Sequence, residues 1–337
     1  MEKDTVSMDF VGAAVARLDE PARRRVLDAA GIQPDLLAVA QARVPAESFA
    51  ALWLAVADEV DDEFFGLDSR RMKVGSFALL CHAVIGQQTV ERALKLMLRG
   101  MAVFLDDIRG ELHVEGEEAA IRLANRIAEP AARRFADETF LVMVHGLMCW
   151  LAGRRIPLLL ASFAYPQPAY VHEYTVMFSR TLRFDAQATE VRFEARWLSA
   201  LVVQDAEALK EFLRTAPQSV FLKYKNEDSW TARLRRRLKD SIGEPDWPLL
   251  EQLAEELELT PSTLRRRLLA EGTSYQDIKD ELRRDAAIHY LCHSGLSVAE
   301  VGYRLGFQEP SAFYRAFKKW TAVQPGEYRV RQAAGQR

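Results

Sequence analysis

Cysteine is scarce. The three residues Cys81, Cys149 and Cys292 lie far apart in a 337-residue chain and show no metal-ligating spacing. An odd, scattered set excludes a disulfide scaffold or zinc ribbon and fits reduced thiols in a cytoplasm. Long apolar runs are also missing. Phe140 to Leu151 and Ile156 to Phe163 are split by Gly153, Arg154, Arg155 and Pro157, so no membrane span is expected. The N-terminus, MEKDTVSMDF, carries early acids and no hydrophobic h-region, which argues against a secretion signal. Nucleophile elbows, phosphate loops and metal motifs are lacking as well; GYRLG and GSFALL do not match them, and no catalytic residue, metal or cofactor is expected.

What is present suits a folded protein of two domains: 49 % apolar and 28 % charged residues over a length that can bury two cores. A net charge of -3 is unpromising for nucleic acid, but the distribution is uneven. From Trp230 onward there are 18 Lys/Arg against 15 Asp/Glu, and before it 27 against 33. The C-terminal part therefore has the sign that phosphate attracts.

The first 45 or so residues read as short helices, one opened by Asp19 and Glu20-Pro21 and closed by Gly31. Phe49, Leu52, Trp53, Val56 and Val60 recur at helical spacing, as do Leu94, Met97, Leu98 and Met101 after Thr89. From Val103 to Ile127 apolar and polar residues alternate, which predicts strands with Arg109-Gly110 as the turn. A long apolar helix is expected over 131–151, then strands in PLLLASF and TLRFDAQATEVRFEA with a turn at Asp185 to Ala188. Alternating helices and strands imply an α/β domain, a mixed sheet with helices. Helices are expected again at 206–215 and 230–241, and GEPDWP, Gly243 to Pro248, breaks the chain. The expected organisation is an N-terminal domain over 1–229, a helix and linker over 230–248, and an all-α domain over 249–331.

In that last segment Leu249, Leu250, Leu253, Ala254 and Leu257 form one apolar stripe. Thr260-Pro261 then gives a capped helix start. The helix it opens turns Leu264 and Leu268 inward and Ser262, Arg265 and Arg266 outward. The plan repeats: Ser297 starts a helix with Val298, Val301 and Leu305, Gly306 ends it, and SAFYRAFKKW places Phe313 and Phe317 inside with Tyr314, Arg315 and Lys318 outside. Two helix-turn-helix units joined by one helix over 275–292, about 27 Å long at ~1.5 Å per residue, could enter successive major grooves.

The segments LAEELELTPSTLRRRLLAEGTSYQDIKDELRRDAAIHYL and LSVAEVGYRLGFQEPSAFYRAFKKWTAVQPGEYR resemble the AraC/XylS-family DNA-binding domain, with Ala299, Gly306-Phe307, Phe313, Phe317, Pro325 and Tyr328 as landmarks. The resemblance implies double-stranded DNA as partner, read by Ser262, Arg265 and Arg266 in the first unit and by Ser311, Tyr314 and Arg315 in the second. Pro310 and Ala312 occupy reading positions there and donate no side-chain hydrogen bond. Arg265 and Arg266 suit base edges, since a guanidinium can pair with both guanine acceptors. Arg267, Arg304, Lys318 and Lys319 suit phosphate.

MKVGSFALLCHAVIGQQTVERALKLMLRGMAVFLDD and FAYPQPAYVHEYTVMFSRTLRF resemble, more loosely, the "arabinose-binding" type N-terminal domain of one branch of that family, which includes regulators similar to the ornithine-utilisation activator. This implies a small-molecule effector, a homodimer and, for an activator, RNA polymerase as a further partner. His82, Arg92, Tyr165, Tyr170, His172 and Tyr174 supply aromatic walls and polar anchors for such an effector. The alternatives are a haem or metal sensor using His82, His145 or His172, and a domain that only dimerises.

Overall fold

Asp19 caps the first long helix through the Ala22 amide at 2.8 Å, with proline inside the first turn, as the sequence predicts. The computed structural model describes residues 5–38, 42–221, 230–244, 247–270, 273–321 and 323–333. The chain opens with β1 (Thr5–Ser7), α1 (Met8–Val15), α2 (Glu20–Ala29), a 3-10 turn (Pro34–Ala38), β2 (Arg43–Pro45) and α3 (Ala46–Val60). There follow α4 (Ser76–Ile85), α5 (Val90–Phe104), β3 (Ile108–Glu115), β4 (Glu118–Asn125), α6 (Pro130–Leu151), β5 (Leu160–Ser162) and α7 (Val171–Met177). Next come β6 (Leu182–Arg183), β7 (Thr189–Glu194), α8 (Ala206–Thr215) and α9 (Gln218–Phe221). The remainder is helical: α10 (Trp230–Lys239), α11 (Leu250–Glu256), α12 (Pro261–Ala270), α13 (Tyr275–His293), α14 (Val298–Arg304), α15 (Pro310–Thr321) and α16 (Pro325–Ala333).

Two units result. One, the sheet unit, is built from the described residues of 9–30 and 47–225. Its five strands run in the order β3-β4-β7-β5-β6, antiparallel except for the short parallel pair β5–β6. In β4, Ala119, Ile121 and Leu123 are buried and alternate with more open neighbours, so one face meets the core. Helix α6 is buried along almost its whole length from Phe135 to Leu151, and α5 turns Leu94, Met97, Leu98 and Met101 inward. The mixed sheet with helices is what the alternating pattern implied.

Arg109-Gly110 is not the turn the sequence suggested. Gly110 lies inside β3, paired with Leu123, and a Cβ there would stand 2.8 Å from both Leu98 and Phe140. The glycine serves close packing of α5 and α6 against the strand rather than a reversal. The reversal falls at Gly116, whose φ of +60° needs the missing side chain.

The second, helical unit comprises the described residues of 1–8, 31–46 and 226–337. This differs from the expected boundaries in two ways. Helix α10 is not part of a linker: Leu234 and Leu238 are fully buried in one core with Trp247, Leu250, Leu253, Leu264, Leu268, Ile278 and Leu282. The N-terminal segment also crosses into this unit, where β1 and β2 pair antiparallel, Thr5 opposite Pro45. Thr5 Oγ1 donates to Asp285 on α13 at 2.9 Å, Arg43 Nε donates to Thr5 Oγ1 at 2.8 Å, and the Tyr328 hydroxyl of α16 donates to the Arg43 carbonyl. Arg235 of α10, only 2 % exposed, reaches Glu281 at 2.8 Å and Asp285 at 3.5 Å. Three-residue strands carry too little periodicity to be read from sequence, and the helices they bond to lie more than 200 residues away.

Gly306 ends α14 at φ +73°, and a Cβ there would stand 2.9 Å from the buried Trp247 ring. Both the left-handed backbone and the contact oppose a side chain. Gly306→Ala is expected to cost about 2 kcal/mol, seen as a lowered urea midpoint with an unchanged m-value.

Candidate nucleic-acid interface and candidate effector site

Thr260 accepts the Thr263 amide at 3.2 Å and starts α12 on the frame the sequence suggested. Leu264 and Leu268 then fall inward, at no more than 1 % exposure, which leaves Ser262, Arg265 and Arg266 exposed on the opposite face. Arg266 has no hydrogen bond or ion pair among the described residues, whereas Arg265 is held by Glu251 of α11 at 3.2 Å. Glu251 thus orients one guanidinium and leaves the next free. Arg267 is half-buried with its guanidinium 4.1 Å from the Trp230 ring centroid. Its charge is stacked on an aromatic face of α10, which is not the free phosphate-facing position expected of it.

The second unit has the same construction. Ser297 caps α14 by accepting the Glu300 amide, and Glu300 returns a bond to the Ser297 amide at 2.6 Å. On α15 Phe313 and Phe317 are fully buried, their rings 5.7 Å apart, so Ser311, Tyr314, Arg315, Lys318 and Lys319 are exposed. Ser311 donates to Glu309 at 3.3 Å, which occupies the only polar hydrogen-bonding side chain in the stretch Pro310 to Phe313. Arg304, exposed at the end of α14, lies 5.7 Å over the Tyr290 ring. Between the two units runs α13, capped by Ser274 and Asp277; its 19 residues make it about 28 Å long. Two outward basic faces therefore stand at the two ends of one uninterrupted helix.

In the sheet unit the buried length of α6 holds adjacent acids, Asp137 and Glu138, at 2 % and 1 % exposure. Asp137 is satisfied on both oxygens, by Asn125 at 2.8 Å and Thr189 at 2.7 Å. Glu138 is not. Its Oε1 accepts from Tyr170 at 3.1 Å and from Tyr174, while Oε2 is buried without a donor. Tyr165 completes the group through a 3.2 Å contact with the Tyr174 hydroxyl, and Phe163 and Phe10 pack their rings against Tyr174 and Tyr170. Arg134, one turn before Glu138, sits 5.6 Å from the Tyr170 centroid. Burial pushes the Glu138 carboxyl up to about 7, against the opposing pull of the Tyr174 and Tyr170 bonds and of Arg134.

A carboxyl raised on folding destabilises the fold once it must ionise. Below the unfolded value of 4.5 both states are protonated and nothing is lost. Stability falls as pH rises from there to about 7, then levels off. The melting temperature of Glu138→Gln minus that of the parent protein is therefore expected to rise between pH 5 and pH 8; a flat difference would contradict the raised value.

Three of the six effector residues named from sequence, Tyr165, Tyr170 and Tyr174, come together here. His82 is exposed on α4, and Arg92 is exposed on α5 with Gln88 as its 3.1 Å partner; no described contact joins either to the cluster. The His172 side chain lies outside the described residues. His145, named for haem or metal, is buried with Nε2 at 2.9 Å from the Ile156 carbonyl and 3.4 Å from Cys149 Sγ. No three His, Cys, Asp or Glu side chains form a metal-sized group among the described residues. Glu138 and Arg134 were missed, although two adjacent acids inside an otherwise apolar helix are a signal in themselves.

Residues 22–201 match the family described as the N-terminal arabinose-binding domain of AraC transcription regulator, and residues 253–331 match a helix-turn-helix domain. Among curated proteins, the chain is 27 % identical over 308 residues to an ornithine utilization regulator of Pseudomonas aeruginosa, which covers 91 % of this chain and 90 % of that protein. An uncharacterized helix-turn-helix regulator of Mycobacterium tuberculosis is 43 % identical over 98 residues, 29 % of this chain and 28 % of that one. The urease operon transcriptional activator of Escherichia coli is 36 % identical over 81 residues, 24 % of this chain and 27 % of that one. No described helix is long and apolar enough to cross a membrane.

Proposed function

Because the chain belongs to the AraC family of DNA-binding transcription regulators and is not an enzyme, we propose that it is an effector-controlled activator acting in the cytoplasm as a homodimer. Each protomer reads two successive major-groove segments, the first through Arg266 and Arg265 and the second through Ser311, Tyr314 and Arg315. Arg304, Lys318 and Lys319 neutralise phosphate. The observation that carries this reading is the repetition: two helices, each begun by proline, each turning apolar residues inward and a basic face outward, joined through α13. A solvated charge cluster has no reason to recur on that plan.

The second reading position differs from the first. With Pro310 and Ala312 unable to donate and Ser311 engaged by Glu309, base contacts from α15 fall mainly to Tyr314 and Arg315, and α12 carries most of the base selectivity. The tyrosine–carboxylate group around Glu138 is the proposed effector site, since buried polar groups with aromatic walls are the usual furniture of a small-molecule pocket. Effector bound there shifts the balance between states of different operator affinity. RNA polymerase is the expected partner on DNA. The relative named for ornithine utilization supports a metabolite as effector and a catabolic operon as target.

Hydroxyl-radical footprinting on the tightest genomic fragment tests the two-groove reading. Protection of two patches per protomer, ~10 base pairs apart on one face of the duplex, is expected. A single protected patch per protomer would leave the second unit without a role on DNA.

A further inference from the structure

One face of α6 keeps two opposite charges apart and incompletely bonded. Glu138 Oε2 is buried and accepts from nothing, and Arg134 Nε, four residues earlier, is buried and donates to nothing. Positions four apart on a helix are neighbours, yet no ion pair joins these two among the described residues. A free buried carboxylate oxygen is among the costlier arrangements a fold can retain, and the simplest remedy, pairing with the adjacent guanidinium, is not taken. Both groups are instead bordered by aromatic rings: Tyr170 lies under Arg134, and Tyr165, Tyr170 and Tyr174 line the carboxylate.

We propose that this pair receives the two charged ends of a free α-amino acid, its ammonium on Glu138 Oε2 and its carboxylate on Arg134, with the tyrosine rings flanking the ammonium. The proposal rests on the effector-site reading above and adds the ligand class to it. The charges decide the class. A sugar would bond both groups through neutral hydroxyls and leave their charges uncompensated, and a dicarboxylate would meet Glu138 with like charge, next to the already satisfied Asp137. A simple amine would answer Glu138 and leave Arg134. A zwitterion satisfies both, and the tyrosine faces add attraction for its ammonium.

Ammonium binding requires the ionised carboxylate. Burial, with Asp137 pushing the same way, holds Glu138 up to about 7 while Arg134 and the bonds from Tyr174 and Tyr170 pull it down. Affinity for the ligand should therefore rise as pH increases toward 7, by up to about tenfold per unit, and flatten above it until the ligand amine itself loses its proton.

The test is a calorimetric titration of the full chain with each of the twenty standard L-amino acids, alongside sugars, fatty acids and aromatic acids. For any amino acid that binds, the matching decarboxylated amine and deaminated acid follow. The expected result is binding by one or a few amino acids, at least tenfold weakening when either charge is removed from the ligand, and loss of the pH slope in Glu138→Gln. Arg134→Gln, at a half-buried position, should weaken the amino acid at least tenfold and, at a pH high enough to keep Glu138 ionised in both proteins, leave its decarboxylated amine unweakened. Amino acids that bind Glu138→Gln and Arg134→Gln as well as the parent protein would overturn the proposal. Binding by another ligand class only would overturn it too and leave the sensor reading standing. Binding by nothing in the whole panel would remove both.

Discussion

Replacing Asp285 with alanine is expected to cost about 3–5 kcal/mol of stability in the helical unit. The carboxylate is fully enclosed among cations: Arg235 at 3.5 Å, Arg284 at 3.1 Å, and Arg43, whose guanidinium is bonded to Thr5 beside it. Arg235 is 2 % exposed and cannot turn to water when its partner leaves. The expected penalty is that of excess buried positive charge, since Arg235 keeps only Glu281 at 2.8 Å and Arg284 loses its 3.1 Å partner, rather than the net worth of an ion pair. Asp285→Asn separates charge from shape. Burial pushes the Asp285 carboxyl up, but Arg284, Arg235, Arg43 and the Thr5 hydroxyl together hold it below its ordinary value of 3.8. A depressed carboxyl contributes stability that is fully present above the unfolded value and disappears as pH falls through the folded one. The parent protein should exceed Asp285→Asn in urea midpoint at pH 6 to 7, and the gap should close below pH 4. Equal stability at neutral pH would mean that the network contributes no more than a polar isostere.

The second large effect is on DNA. Arg265 and Arg266 replaced together by alanine should lose about 2–6 kcal/mol of operator affinity, taking ~1–3 kcal/mol for each base-directed guanidinium. Arg266→Ala alone should weaken binding and relax preference at one base-pair position, because Arg266 is exposed and unengaged while Arg265 is already held by Glu251. Lys318→Ala should behave differently, weakening all sequences alike and flattening the salt dependence by about one ion. A binding titration against a library of single-base operator variants at two salt concentrations distinguishes the two classes. An Arg266→Ala protein with unchanged affinity and unchanged selectivity would refute its assignment to a base edge.

The helical unit was legible in the sequence wherever a local rule governs it. Thr260-Pro261, Ser274, Ser297 and Gly306 mark helix ends by chemistry that acts within four residues, and Leu264, Leu268, Phe313 and Phe317 repeat at a spacing that identifies the inner face. Hence the outward residues of α12 and α15 could be named in advance and fall on exposed faces. Arg267 escaped because the aromatic ring it stacks on, Trp230, lies 37 positions earlier in a helix that reads as a linker. The strand pair of Thr5–Ser7 with Arg43–Pro45 escaped for the same reason on a larger scale, since nothing near Arg43 announces a partner at Asp285.

In the sheet unit the strands showed through their alternation but the turn did not. Gly110 looks like a turn glycine, and only the packing of Leu98 and Phe140 across it reveals its use. The tyrosines at 165, 170 and 174 were visible as a cluster of aromatic residues around prolines. Their common partner was hidden, because Glu138 sits in an apolar helix some 30 residues upstream and sequence alone does not say which face it shares with them. His82 and Arg92 were named for their residue types, and residue type fixes no direction.

The most direct test maps where the full-length protein sits on its own genome at native expression, in parallel with the Arg265→Ala/Arg266→Ala protein at equal abundance. The expected result is discrete sites upstream of one or a few operons, sharing a sequence with two elements about one helical turn apart, and their loss in the doubly substituted protein. No sites above background in the parent protein, with or without added metabolites, or the same sites at the same occupancy in the substituted protein, would contradict the double helix-turn-helix as its means of reading DNA.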